Sequence, residues 1–170
     1  YALRAFQKVC ELYPEVRMRM IGDGLLRGEI EAEIGRLGLG DRVMLLGMQS
    51  HKASLGELGR AAVLLYPSVT ASDGDTEGGA PVGLIEAMAS GVPVVSSIHA
   101  DIPHVVRDGE CGLLFSEKDV AGLAEGLDLL LGSAERRAEM GREGRKHVEV
   151  HHNLRRQGEH LEEIYDRVRT

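Results

Sequence analysis

No apolar run in this 170-residue chain reaches the roughly 18 residues that a membrane-spanning helix needs. Internal repeats, low-complexity tracts and heptad runs are also missing, so solenoid and coiled-coil architectures are excluded. Cysteine is scarce. Cys10 and Cys111 are the only two, they form no metal pattern, and both read as buried reduced thiols. The seven His include His51, His99, His104, His151 and His152, and none has a partner at a spacing such as H-E-x-x-H, so no metal is expected. Positive charge is in deficit: 20 Lys and Arg against 27 Asp and Glu leave a formal charge of −7. That balance argues against nucleic acid as the main partner, because a phosphate-backbone binder is usually basic. No strand runs into G-x-G-x-x-G with a trailing acid, so the dinucleotide-binding fingerprint is absent. There is no signal peptide and no initiator Met, and Tyr1 opens inside a helical pattern, so the chain is expected to be trimmed.

What remains is an ordinary globular composition, 43% apolar and 28% charged, and one domain's worth of chain. Apolar periodicity predicts helices over residues 2–13, 25–37, 52–60, 81–90, 119–131, from 133 onward, and 153–168. The last carries a stripe of Leu161, Ile164, Tyr165 and Val168. Short strands are expected at 16–21, 43–46, 62–66, 93–95 and 112–115, with at most a short helix at 102–106. Strands alternating with helices imply a parallel α/β sheet covered on both faces, and an unbroken apolar strand such as 62–66 fits burial on both sides. In a doubly wound unit a strand precedes the first helix, so an upstream strand is expected to be missing.

In open parallel sheets, ligands bind beyond the carboxyl ends of the strands. The Gly-containing and polar loops at 22–24, 47–51, 68–79 and 97–101 all follow strands, which makes one shared site along that edge the better reading than four unrelated turns. Within residues 80–95, Glu86 is the only charge. A carboxylate in so apolar a segment needs a partner, and a ribose offers two adjacent hydroxyls to it. Near Pro81 the first amides of the helix lack intrahelical partners and favour an anion, so a pyrophosphate there needs no dedicated cation. Gly78 and Gly79 would let a phosphate or sugar approach the backbone. An anion-binding helix end with Glu86 one and a half turns further on describes a nucleotide diphosphate. The loop between the third strand and this helix has no large apolar side chain from Ser72 to Thr76, and Asp73, Asp75 and Glu77 repel one another. It is therefore expected to be poorly fixed until a ligand orders it, unless Asx-turns hold it.

At Glu77-Gly78-Gly79-Ala80-Pro81-Val82-Gly83-Leu84-Ile85-Glu86-Ala87-Met88-Ala89-Ser90-Gly91-Val92-Pro93-Val94-Val95 the chain resembles the C-terminal, donor-binding domain of retaining GT-B glycosyltransferases. This is glycosyltransferase family 4, or glycosyl transferases group 1, which includes sucrose synthase and many bacterial polysaccharide and lipopolysaccharide enzymes. The family normally has seven residues between the two Glu, whereas eight separate Glu77 from Glu86 here, the extra one lying around Gly79. The resemblance covers nearly the whole chain. Gly22-Asp23-Gly24 resembles the turn after the family's second strand, residues 43–47 its base-side strand, Tyr66-Pro67-Ser68 the lead into the sugar loop, and residues 108–115 with Asp119 a further match. A Glu common in the family is replaced by His104.

The resemblance implies a Rossmann-like, doubly wound parallel sheet, half of a GT-B fold with its first strand missing. The acceptor-side N-terminal domain and the basic residues that grip the donor phosphates would lie upstream. By position, Glu86 would hold the ribose hydroxyls and Glu77 would contact sugar hydroxyls near the reacting carbon. Gly78, Gly79, Ala80, Val82 and Gly83 would offer backbone to pyrophosphate and sugar, Met48 would line the base pocket, and Gly22 would belong to the nucleotide-side turn. The resemblance further implies a cytoplasmic enzyme, peripheral where it meets the inner face of the membrane. It would take an NDP-sugar and pass the sugar, with retention and without a metal, to a saccharide or lipid-linked acceptor in polysaccharide or lipopolysaccharide synthesis. The two Glu do not make a glycosidase dyad, since hydrolases need both carboxyls flanking one bond. A sugar-nucleotide epimerase of the same fold and a non-catalytic nucleotide-binding module are the alternatives.

Overall fold

A computed structural model describes residues 1–76 and 79–169 of the chain. Its elements run α1 (Ala2–Leu12), β1 (Met18–Met20), α2 (Arg27–Arg36), β2 (Val43–Leu45), α3 (His51–Leu58), β3 (Leu64–Tyr66) and α4 (Val82–Ala89), then β4 (Val94–Ser97), α5 (Ile102–Val105), β5 (Gly112–Phe115), α6 (Val120–Leu131), α7 (Ala134–His151) and α8 (Leu154–Val168). Each expected element is present, and the boundaries shift by up to two residues at the ends. Local chemistry accounts for several starts: Ser50, Asp119, Ser133 and Asn153 each cap a helix by accepting a backbone N–H.

All strand pairs are parallel, but the five strands divide into two sheets, β1–β2 and β3–β4–β5. The division falls between β1 and β3. Helix α1 spans it. Leu3 and Phe6 pack with Ile34, Leu39 and Val43 on the β2 side, while Ala5 and Val9 pack with Val95, Leu123, Leu127 and Leu130 on the β4 side. The division also corrects the expectation for β3. Its three residues are only half-buried because one edge of the strand has no β neighbour among the described residues. Full burial belongs instead to β4, at the centre of its sheet. Its two buried hydroxyls are satisfied by backbone: Ser96 Oγ donates to Tyr66 O at 2.5 Å and Ser97 Oγ to Ser68 O.

The second core joins α4 to α7 through Leu84, Ala87, Met88, Val94, Val106 and Val148. Close approach is made possible by Gly141, where a Cβ would stand 2.1 Å from the Gly91 carbonyl oxygen. Two readings need correction. The stripe on α8 is exposed along its whole length, and α8 has no buried residue. Of the cysteines, Cys111 is buried but Cys10 only half so, because it sits on the flank of α1 rather than on its core face. Among the described residues no helix is long and apolar enough to cross a membrane.

Candidate functional site

The carboxyl ends of the parallel strands deliver their loops to one edge, and hydrogen bonds tie those loops together. After β1 and β2, Gly22 N–H donates to Gly47 O at 3.0 Å. Gly47 takes φ +65, and a Cβ there would come within 3.6 Å of Asp23 Oδ2, which is itself held 3.0 Å from Arg27 Nη1. Gly22 is thus a junction between two loops. Met48, next after Gly47, is 75% exposed.

Helix α4 begins at Val82 with Pro81 as its N-cap in an extended conformation (φ −62, ψ 130), one residue later than the sequence pattern suggests. A proline at this cap offers neither a side-chain acceptor nor an N–H. The first amide satisfied within the helix is Leu84 N–H, which donates to Pro81 O at 3.0 Å. The amides of Val82 and Gly83 precede it and have no intrahelical acceptor. Gly79, Ala80 and Gly83 are half-buried, and Val82 is exposed. Gly83 lies against the Tyr66 ring, with its Cβ position 3.6 Å from Cε2. Glu77 and Gly78 lie outside the described residues.

Glu86 projects from the middle of α4 and is 26% exposed at its side chain. It is paired, as its apolar setting demands, but with a residue the sequence did not point to: His51 Nε2 lies 2.6 Å from Glu86 Oε1. His51 is the first residue of α3, just after the Ser50 cap. The capped helix start after β2 therefore faces α4 and brings a ring nitrogen to the carboxylate. Oε2 has no hydrogen-bond partner among the described residues, so one oxygen of Glu86 stays available.

A second polar cluster fastens the loop after β3. His99, 4% exposed in the loop after β4, places Nδ1 2.7 Å from Glu117 Oε1 and Nε2 2.8 Å from Thr76 Oγ1. Glu117, just after β5, also accepts the Thr70 N–H at 2.9 Å on Oε2 and the Thr70 hydroxyl at 3.3 Å on Oε1. The His99 ring, and after it the Thr70 amide, hold the Glu117 carboxyl below the usual carboxylate range. Asp73 Oδ1 accepts from Asp75 N–H and Asp75 Oδ1 from Thr76 N–H. Residues 70–76 of the loop expected to be poorly fixed are thus held by Asx contacts and a buried imidazole, while its Glu77 and Gly78 lie outside the described residues. Its partners sit 23 and 47 residues away in sequence, and no local pattern marks them. His104 is exposed on α5, and nothing in the structure explains its standing where the family has Glu. Among the described residues, no group of three or more His, Cys, Asp or Glu is arranged to hold a metal ion.

Comparison with known proteins places this architecture. Amylovoran biosynthesis glycosyltransferase AmsK of Erwinia amylovora is 42% identical over 105 residues, 62% of this chain and 26% of AmsK. Sucrose-phosphate synthase of Thermosynechococcus elongatus superposes with a TM-score of 0.79 at 22% identity, over 98% of this chain and 42% of the synthase. HepE of Anabaena, crystallised with UDP-glucose, gives a TM-score of 0.73 at 22% identity over 86% of this chain and 40% of that one. At such identities the two structures speak for the fold, which is the Rossmann-like half of GT-B glycosyltransferases. The chain spans less than half the length of each of these relatives. The model of the family described as "Glycosyl transferases group 1" matches residues 1–147, and the chain belongs to that family.

Proposed function

We propose that this chain is the donor-binding domain of a glycosyltransferase that moves a sugar from an NDP-sugar to a saccharide or lipid-linked acceptor, with retention of anomeric configuration, in polysaccharide synthesis. The observation that carries this reading is the pairing, on one strand edge, of Glu86 with the open amides at the start of α4. Glu86 Oε2 would accept from a ribose hydroxyl while His51 holds Oε1. The amides of Val82 and Gly83, aided by the helix dipole, would face the diphosphate. As the bond from the anomeric carbon to the diphosphate oxygen breaks, its electron pair leaves with the NDP. The same amides would then meet the growing negative charge. The acceptor hydroxyl forms the new bond to the anomeric carbon and gives up its proton to the departing diphosphate oxygen.

Glu77 would contact the sugar near the reacting carbon, and Gly78, Gly79 and Ala80 would lend backbone to the sugar and phosphate. The exposed Met48 would border the base, and the Gly22–Gly47 junction would wall that end. An N-terminal domain of the full-length enzyme would supply acceptor contacts and basic residues for the phosphates. No metal is required in this scheme, and the enzyme would act in the cytoplasm, where it can meet the inner face of the membrane. Support comes from the family, from AmsK's role in amylovoran biosynthesis, and from HepE, which was crystallised with UDP-glucose.

Calorimetric titration of the chain with UDP-, GDP- and ADP-sugars tests the reading. Binding of one nucleotide class, competed by the matching nucleoside diphosphate, is the expected result. Absence of binding to all three would refute it.

A further inference from the structure

We propose that His99 and Glu117 are a positioning pair that sets the span between Thr70 and Thr76 and, through it, selects for the sugar half of the donor. The inference rests on the donor-binding reading above. Two titratable groups from the ends of neighbouring strands, β4 and β5, converge on the loop that leaves the third strand, β3. His99 is buried, yet both its ring nitrogens are engaged, at 2.7 Å with Glu117 and 2.8 Å with Thr76. A carboxylate only accepts, so the Nδ1–H of His99 donates to Glu117, and Nε2 on the far side of the ring pairs with the Thr76 hydroxyl. The other oxygen of Glu117 holds the Thr70 amide at 2.9 Å. One imidazole and one carboxylate thus clamp both ends of the span.

Between the clamped ends the span closes on itself, with Ala71 N–H donating to Asp75 O at 2.9 Å and Gly74 N–H to Ala71 O at 3.0 Å. These bonds tie the span's interior to its two anchored ends. The turn that presents His99 is strained as well: Ala100, the next residue, takes φ +44, a left-handed conformation that a non-glycine residue holds only where its surroundings enforce it. Thr76 directly precedes Glu77 in the sequence, the residue assigned to the sugar. The ribose contact at Glu86 lies on a different element and pairs with a different histidine. Disturbing the clamp should therefore separate sugar recognition from nucleotide recognition, which a merely structural fastening would not do.

The test measures, on the full chain, the affinity for UDP-glucose, GDP-mannose and ADP-glucose and for UDP, GDP and ADP, in wild type, Glu117→Ala and His99→Gln. Glu117 lies near the surface, so Glu117→Ala is the variant least exposed to misfolding, and Glu117→Gln, which keeps an acceptor for the Thr70 amide, serves as the conservative rescue. For the sugar nucleotide that wild type binds, Glu117→Ala should lose about tenfold in affinity, the scale of one charge-assisted hydrogen bond. The matching nucleoside diphosphate should change by less than about twofold, because its contacts are elsewhere. Glu117→Gln should fall between the two. Equal losses for sugar nucleotide and diphosphate, or no loss in either, would overturn the positioning role while leaving the donor-binding reading intact. If wild type binds none of the six probes, the donor-binding reading fails and this inference fails with it. Hydrogen exchange without ligand gives a second measurement: the Thr70 amide, which Glu117 Oε2 holds, should lose protection in Glu117→Ala, and unchanged protection there would refute the clamp.

Discussion

Replacing Glu86 with Gln isolates the contribution of charge at the proposed ribose contact. Gln keeps the shape and can still accept from His51 Nε2, so the packing of α3 against α4 should survive. What it loses is the charge on the oxygen that His51 leaves unpaired. Because Oε1 is engaged with His51 at 2.6 Å, the ribose interaction falls mainly on Oε2, which means one charge-assisted hydrogen bond and not two. Such a bond is worth roughly 1.5–3 kcal/mol, or roughly 10- to 150-fold in Kd. The side chain is 26% exposed, and water screens a partly open carboxylate, so the lower end applies and the expected loss is about tenfold. The assay is calorimetry with the nucleoside diphosphate that wild type binds, alongside a thermal melt to confirm that Tm moves by no more than about 2–4 °C. A His51→Ala variant and the double variant complete a cycle, and the two losses should be less than additive because the residues share one contact. Unchanged diphosphate affinity in a folded Glu86→Gln protein would refute the ribose assignment.

Gly141→Ala should destabilise the chain by about 1–3 kcal/mol, lowering Tm by about 2–12 °C, because the new methyl would sit 2.1 Å from the Gly91 carbonyl oxygen; Gly158→Ala, with nothing within 4 Å, is the control, and equal Tm values in the two variants would refute the packing argument. His147 and His152 both have lowered pKa values, chiefly through burial. Their folded-state values lie below the unfolded value of 6.5, so the unfolded chain takes up protons first, and stability present above that pH is lost as pH falls through the folded values. Thermal melts on either side of pH 6.5 should show this loss, reduced in His147→Phe, which removes a ring that faces Arg107, His151 and His152; an identical acid-side slope in that variant would count against the argument. The isolated chain should bind a donor without transferring its sugar, because the proposed reaction needs a second domain to exclude water and seat the acceptor; efficient transfer by the chain alone would overturn the two-domain reading.

Local patterns in the sequence determined the helices, the helix caps at Asp119 and Ser133, and the apolar strands, because each depends on spacing or on a side chain bonding to nearby backbone. They also marked Glu86, a lone carboxylate in an apolar segment following a glycine-rich turn, and the strand-edge loops around it. Only the tertiary structure decided who answers that carboxylate. His51 precedes it by 35 residues, and contact across α3 and α4 leaves no periodic trace. The same holds for His99 and Glu117, which lie in separate loops and meet only because β4 and β5 pair in parallel register. Burial, too, was settled by neighbours rather than by residue type. Leu64–Tyr66 reads as a core strand yet stands at a sheet edge, and the apolar stripe of α8 reads as a packed face yet remains exposed, since hydrophobicity states what a surface favours and the assembled fold states whether anything covers it.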